Sequence, residues 1–312
     1  MMNVKNYHDP CPAVSIIVPV RNGEKTIGKL LDALQKLDYP EDKMQVIIVD
    51  NGSQDNTGEM IKKYPVILEH ENEKVSSYAA RNKGLSIAHG EIIAFTDVDC
   101  IPERSWISKG VLALDNQNAD MAGGRIKFIF SGRKSAAECF DSLNNLRNDR
   151  FIHYKLGAIT ANLFVKAGLF EKMGLFQEVT SGGDINWTGM ALNNGFSLIY
   201  VPEAIVYHPV RNFVDLLWKS WFRGTGLLLT LKQRKWRFFK ILYLINRLLI
   251  PIPSIVVIKS LIGVKVDPDI KGRRLAIWGI SYLNQLFSLG GLVYSIYRNI
   301  SDSCRSAKKN QA

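Results

Sequence analysis

Three apolar runs punctuate the first hundred residues: VSIIVPV (14–20), QVIIVD (45–50) and EIIAFTD (91–97). Each is short and rich in β-branched residues, the pattern of a strand buried on both faces. Between them the period changes. EKTIGKLLDALQKL (24–37) sets Ile27, Leu30, Leu31, Leu34 and Leu37 at helical spacing, a short helix is expected around Glu59–Lys63, and another through AARNKGLSIAHG (79–90) follows a strand near Val66–Glu69. This alternation predicts an α/β fold built on a parallel, doubly wound sheet covered on both faces. Such sheets bind ligands beyond the carboxyl ends of their strands. Val20–Asn22, Asp50–Asp55 and Asp97–Asp99 all lie at such ends, so they are expected to converge on one crevice.

Beyond residue 120 the alternation loosens. Strands are expected in MAGGRIKFIF, AITANLFV (158–165) and SLIYVPEAIVYHPV (197–210), and helices in SAAECFDSLNNL and SGGDINWTGMALNNG (181–195). No Pro/Gly/Ser-rich linker separates this half from the first. The division expected is a leader, 1–12, one domain over 13–211, and a distinct region over 212–312.

Charge marks that last boundary. Residues 1–218 carry 23 Lys/Arg against 26 Asp/Glu, whereas residues 219–312 carry 17 against 3. Basic clusters such as KQRKWRFFK (232–240) and KGRR (271–274) alternate there with two apolar runs, 241–264 and 275–297. Basic clusters beside apolar segments suit an anionic membrane surface, where each Lys or Arg contributes about 1 kcal/mol. No nucleic-acid reading motif accompanies them, so no nucleic-acid partner is expected. The 275–297 run has no charge over 23 residues. It is long enough to cross a bilayer, and polar enough, with Asn284 and Gln285, to lie in the interface instead. The four cysteines show no CxxC spacing and are expected to be reduced, cytoplasmic thiols.

The chemistry concentrates in FTDVDC (95–100), which ends a buried strand in two carboxylates. Asp97 and Asp99 suit either a strand-end turn or a divalent cation completed by a substrate's phosphates. VDNGSQD offers Asp50, Asn51, Ser53 and Asp55 to a base or ribose, although Ser53, Asp55 or Thr57 suits a helix cap equally. Arg81 stands near a helix start, where an anion is welcome.

In this order and at these spacings, VSIIVPVRNGEKTI, VIIVDNGSQDNT, AARNKGL and IIAFTDVDCIP resemble the nucleotide-sugar-binding half of family two glycosyltransferases. The resemblance covers roughly residues 13–210. It implies the GT-A fold, with its doubly wound mixed sheet, a nucleotide diphosphate sugar donor, a divalent cation (Mn2+ or Mg2+), and transfer with inversion. Carried over by position, Pro19, Arg21, Asp50 and Ser53 line the nucleotide pocket and Arg81 contacts the nucleotide or its phosphates. Asp97 meets the ribose or donor sugar, and Asp99 the metal. Asp184 in SGGDINW becomes the base, or else a helix cap. Relatives often carry two acidic residues there, and this chain has Gly183 before Asp184. Trp187 is then placed to stack on an acceptor sugar, if it is not core. Ala161 and Asn162 face the donor sugar, and His208 contacts the metal or diphosphate. The region after the base reads LLWKSWFRGTG, with Arg223 but no QxxRW-like motif of processive members, so single-sugar transfer is expected.

The acceptor expected is a glycan or a lipid-linked one, reached from the cytoplasmic face of the cell membrane by peripheral attachment or a single C-terminal span. Two alternatives are a sugar nucleotidyltransferase, whose basic glycine-rich loop RNGEKTIG matches poorly, and a non-catalytic membrane adaptor, which the retained carboxylates disfavour. No GxGxxG follows the first strand, which argues against a dinucleotide-dependent oxidoreductase.

Overall fold

The computed structural model of the chain describes residues 11–132, 134–233 and 272–309. The leader to residue 10, most of the 232–240 cluster, the apolar run 241–264 and Lys271 lie outside the described residues. Eight strands form one sheet: β1 (Val14–Val20), β2 (Met44–Asp50), β3 (Ile67–His70), β4 (Ile92–Thr96), β5 (Ile101–Pro102), β6 (Met121–Ile129), β7 (Asn162–Lys166) and β8 (Leu198–Pro209). Their order is β3-β2-β1-β4-β7-β6-β8-β5. The first four are parallel, as the strand–helix alternation requires. β7 then runs antiparallel to both β4 and β6, and β5 antiparallel to β8, so the sheet is mixed.

Helices cover both faces. The even-numbered residues of β1, Ile16 and Val18 among them, share a core with α1 (Ile27–Leu34) and α4 (Trp106–Asn116). Ile27, Leu30 and Leu31 of α1 are fully buried, each contributing about 1.5–3 kcal/mol through lost apolar surface. On the opposite face Gly84 of α3 (Ser77–Leu85) lies so close to β1 that a Cβ there would meet Ile17 Cγ2 at 2.6 Å. The remaining described helices are α2 (Thr57–Ile61), α5 (Ala136–Asn144), α6 (Asn148–His153), α7 (Gly168–Met173), α8 (Gly183–Asn193), α9 (Phe213–Gln233) and α10 (Arg274–Lys309). The sequence pattern does not announce α4, α6, α7 or β5.

The chain divides into two compact units. The first runs to Ile129 and adds Leu146–Glu178 and Gly183–Pro209, and so contains the whole sheet. The second comprises Phe130–Asn145, Val179–Gly182 and the chain from Val210. α5 belongs to this second unit. Its apolar face explains this: Ala137, Cys139 and Phe140 form a cluster with Leu216 of α9 and Ile277 of α10.

Candidate active site

The acidic turn leaves β4 at Thr96, and the Cys100 N–H closes it onto the Asp97 carbonyl at 3.0 Å. The next residue begins β5, whose pairing of Ile101 with Tyr207 brings His208 beside the turn. One ligand atom each from Asp97, Asp99 and His208 lie within 4.8 Å of one another. His208 is buried, and its two ring nitrogens have different neighbours. Nδ1 is 2.6 Å from the Pro209 carbonyl, an acceptor only, so Nδ1 carries a proton. Nε2 faces Asp99 Oδ2 at 3.2 Å. In a neutral imidazole both of those atoms are acceptors, and the contact holds only with a proton or a cation between them.

Asp97 is oriented from behind. The buried Arg81 donates Nη2–H to Asp97 Oδ1 at 2.5 Å and Nη1–H to the Ser77 carbonyl at 3.2 Å, with its guanidinium 5.5 Å from the Tyr78 ring centroid. The arginine expected to meet phosphates is here the ion partner of Asp97, one of the three residues that could hold a metal ion. Cys100, fully buried in the same turn, has its thiol pushed well above its ordinary range by burial, with the Asp97 and Asp99 charges adding to it.

At the ends of β1 and β2 the loops are knitted together. Ser53 donates its N–H and hydroxyl to Asp50 Oδ1 at 3.0 and 2.6 Å and accepts the Asn22 N–H at 2.8 Å. The Gly23 N–H reaches Thr57 Oγ1 at 2.8 Å, and the Glu24 N–H reaches Asp55 Oδ2 at 3.1 Å. Asp55 Oδ1 also accepts from the Thr57 N–H and hydroxyl, so it is Asp55 that serves the start of α2. Asn22 takes φ +53°, a left-handed conformation that asparagine tolerates. Pro19 is buried in β1 opposite Val49, and Arg21 is exposed at the loop. Asn51 donates to the carbonyls of Glu71 and Lys74, closing the 71–74 loop over this end of the sheet.

Asp184 lies within the first turn of α8, not at its cap. Its buried carboxylate accepts four hydrogen bonds: from the Tyr78 hydroxyl (2.9 Å) and Ile185 N–H (2.9 Å) on Oδ1, and from the Thr160 N–H (3.0 Å) and hydroxyl (3.1 Å) on Oδ2. Burial, followed by the Asp184 charge, pushes the Tyr78 phenol well above its ordinary value against the opposing pull of Arg81. The phenol therefore remains a donor. Gly183 makes this arrangement possible, because a Cβ there would meet the Tyr78 ring and the Gln177 carbonyl at 3.0 Å. The glycine beside Asp184 thus leaves room for the tyrosine that holds its carboxylate. Tyr78 and Thr160 were not singled out in the sequence, since neither carries a motif of its own.

Two expected contacts are corrected. Trp187 is buried, stacked on Phe170 at 4.6 Å and packed against Phe176, with its indole N–H donated to the Gly174 carbonyl at 2.8 Å. It has no face for an acceptor sugar. Asn162 is fully buried and its amide is spent inside the sheet: Oδ1 accepts the Trp106 indole N–H, and Nδ2 donates to the carbonyls of Arg125 and Ala204, each at 2.9 Å. It ties β7 to β6 and β8 and has nothing left for a donor sugar. Ala161 beside it is likewise fully buried.

The family model Glycosyl transferase family 2 matches residues 15–172, which hold β1 to β7, the acidic turn and Arg81. This chain belongs to that family. It is a glycosyltransferase. It is 38% identical over 221 residues to glycosyltransferase AglE of Haloferax volcanii, covering 69% of this chain and 73% of that one. It is 25% identical over 228 residues to the probable glycosyltransferase YdaM of Bacillus subtilis, spanning 68% of this chain and about half of YdaM, 53%. Among solved structures, mannosyltransferase PcManGT of Pyrobaculum calidifontis, in complex with GDP-Man and Mn2+, superposes with a TM-score of 0.56 at 20% identity, covering 95% of this chain and 79% of its own. That likeness shows the shared GT-A fold.

Proposed function

We propose that this glycosyltransferase moves a single sugar, with inversion, from a nucleotide diphosphate sugar to a glycan or lipid-linked acceptor in cell-surface polysaccharide or glycolipid synthesis, with the help of a divalent cation. The contact between His208 Nε2 and Asp99 carries the proposal. A ring nitrogen turned towards one carboxylate and grouped with a second is a donor set that a cation satisfies. Asp99 and His208 would hold it, with Asp97 as the third group. The nitrogen is the ligand that hard magnesium least prefers, which favours manganese. PcManGT, whose structure contains Mn2+ and GDP-Man, supports the same choice. When bound, such a cation stabilises charge on a departing diphosphate.

The chain's own residues supply the rest. Asp50 and Ser53, braced by Asn22, offer polar atoms at the carboxyl ends of β1 and β2 to the nucleoside, with Pro19 and Arg21 beside them. Arg81 fixes the orientation of Asp97. Asp184 takes the proton of the acceptor hydroxyl as it attacks the anomeric carbon; four donors hold the carboxylate in one rotamer, and one of them gives way to the acceptor. Neither alternative has an observation in its favour: family membership opposes the nucleotidyltransferase, and the carboxylates an adaptor would lose are present.

The C-terminal basic and apolar region is part of the same proposal, as the attachment to an anionic surface at the cytoplasmic face of the cell membrane. Among the described residues no helix is long and apolar enough to cross a membrane, α10 included. This favours peripheral attachment over the span weighed for 275–297.

The test is a donor screen by thermal shift, with and without manganese, since a ligand of the native state raises its apparent stability. One nucleotide diphosphate sugar is expected to give a shift that requires manganese. No shift from any donor would overturn the proposal.

A further inference from the structure

The second unit distributes its residues in the opposite sense to a water-soluble helix pair. The seam between α9 and α10 is small and polar. A Cβ on Gly224 would meet the Ser288 carbonyl oxygen at 1.9 Å, and one on Gly291 would meet the Trp221 carbonyl oxygen at 2.1 Å. Ser220 is hydrogen-bonded to Asn284 across the same seam, and both are buried. Several large apolar side chains lie outside it. Val214, Trp218 and Phe222, one helical turn apart on α9, are 58%, 55% and 50% exposed. On α10, Leu286, Phe287 and Tyr294 are exposed as well. A ring contact of 5.9 Å between Trp221 and Tyr294 joins the two helices' aromatic faces, and Trp218 lies 6.4 Å from Phe222.

Water rewards burial of Leu, Phe and Trp, whereas a hydrocarbon surround removes that reward and leaves close approach of small residues and interhelical hydrogen bonds to hold helices together. Large apolar side chains grouped at an exposed helix surface mark a contact surface. Charge identifies what covers it. Residues 275–297 hold no charge and are flanked by Arg273, Arg274 and Arg298, within a segment, 219–312, of 17 basic and 3 acidic residues. Cations at both ends of an apolar helix seek anionic headgroups while the apolar arc enters the acyl boundary. α9 carries Asp215, Lys219 and Arg223 along its length, which suits a helix lying in the interface and not one crossing it.

We infer that α9 and α10 form an in-plane, lipid-facing platform whose outward arc, centred on Trp218, Phe222, Leu286 and Tyr294, rests in the interface of an anionic bilayer. This deepens the membrane part of the proposed function and names the surface that makes the contact. The experiment is flotation of the full chain with phosphatidylcholine vesicles with and without 30% phosphatidylglycerol, comparing wild type with the Phe222→Glu/Leu286→Glu double variant. Both positions are exposed, so the fold should be kept. Manganese-dependent thermal shift with a nucleoside diphosphate, measured on the same samples, reads the donor crevice independently. Wild type is expected to float with the anionic vesicles and to be released by alkaline carbonate, and the variant to lose at least tenfold in partitioning with the nucleotide shift unchanged. Three results would overturn the inference: equal flotation of the variant, retention of wild type after carbonate extraction, which means a spanning segment, or a lipid-free dimer that the same substitutions dissociate, which means a second copy covers the arc. Loss of the nucleotide shift in wild type would instead count against the proposed function.

Discussion

Asp184 is held by so many donors that its replacement has two separable consequences. In Asp184→Asn, an amide cannot accept on both sides. If its oxygen keeps Tyr78 and Ile185, its NH2 faces the Thr160 N–H, and if it is flipped, the NH2 faces the Ile185 N–H. One buried backbone donor loses its acceptor either way, at a cost of about 1–3 kcal/mol in stability. Loss of a general base lowers turnover by a further factor of roughly 10²–10⁴, independently of folding. Thr160→Val separates the two. It removes one hydroxyl donor but leaves the Thr160 N–H and the charged carboxylate, so about 1 kcal/mol of stability is lost and turnover should stay within about tenfold of wild type, well short of a lost base. The assay pairs thermal unfolding with nucleoside diphosphate release from whichever donor the screen identifies, under conditions where each variant is folded. Wild-type turnover in Asp184→Asn, or an equal collapse in Thr160→Val, would show that the carboxylate is a structural hub and that the base lies elsewhere.

Three other outcomes are expected. Tyr78→Phe should remove a contribution to stability that is full below pH 10 and lost as the pH rises above that value, because the folded state holds the phenol's proton more tightly than the unfolded chain; denaturant midpoints of the two proteins that stay equally far apart from pH 8 to 11 would contradict it. Glu138, in the capping box of α5, feels burial raising its carboxyl, but bonds from Ser131 and Ser135 outweigh it and bring it from 4.5 to about 2. Its contribution is therefore present above pH 4.5 and lost as the pH falls through about 2, and acid unfolding of Glu138→Gln should lack that component. Asn162→Ala should lower stability by about 2 kcal/mol or more, at about 1–3 kcal/mol for each of the two buried groups, the Trp106 indole N–H and the Ala204 carbonyl, that lose this partner, as read by denaturant unfolding; near-normal stability with weakened donor binding would restore it to the donor site.

What was legible in the sequence was whatever depends on local order. β1, β2 and β4 fall within a residue or so of the runs that announced them, because a β-branched run bounded by turn residues leaves few alternatives. The grouping of Asp97, Asp99 and His208 was legible through motif spacing, although Asp99 and His208 are over a hundred residues apart and meet only because two-residue β5 pairs with β8. The misplaced residues share one cause. Trp187 and Asn162 stand at motif positions, but whether an indole stacks on a sugar or on Phe170, and whether an amide faces a ligand or the Ala204 carbonyl, depends on packing partners distant in the chain. For the same reason Tyr78 and Thr160 went unnoticed: their importance comes from a carboxylate on another element. The position of α5 was hidden too, since an amphipathic helix does not say which apolar face it will meet.

The most direct test of the account is calorimetric titration of manganese, in the presence of a nucleoside diphosphate, into wild type, Asp99→Ala and His208→Ala. If Asp99 and His208 hold a cation, both variants should lose at least tenfold in manganese affinity, on the order of what a weakened ligand set costs, while keeping the fold. Undiminished manganese binding in both would show that the contact between His208 and Asp99 is a protonated ion pair and that the cation, if there is one, is held elsewhere.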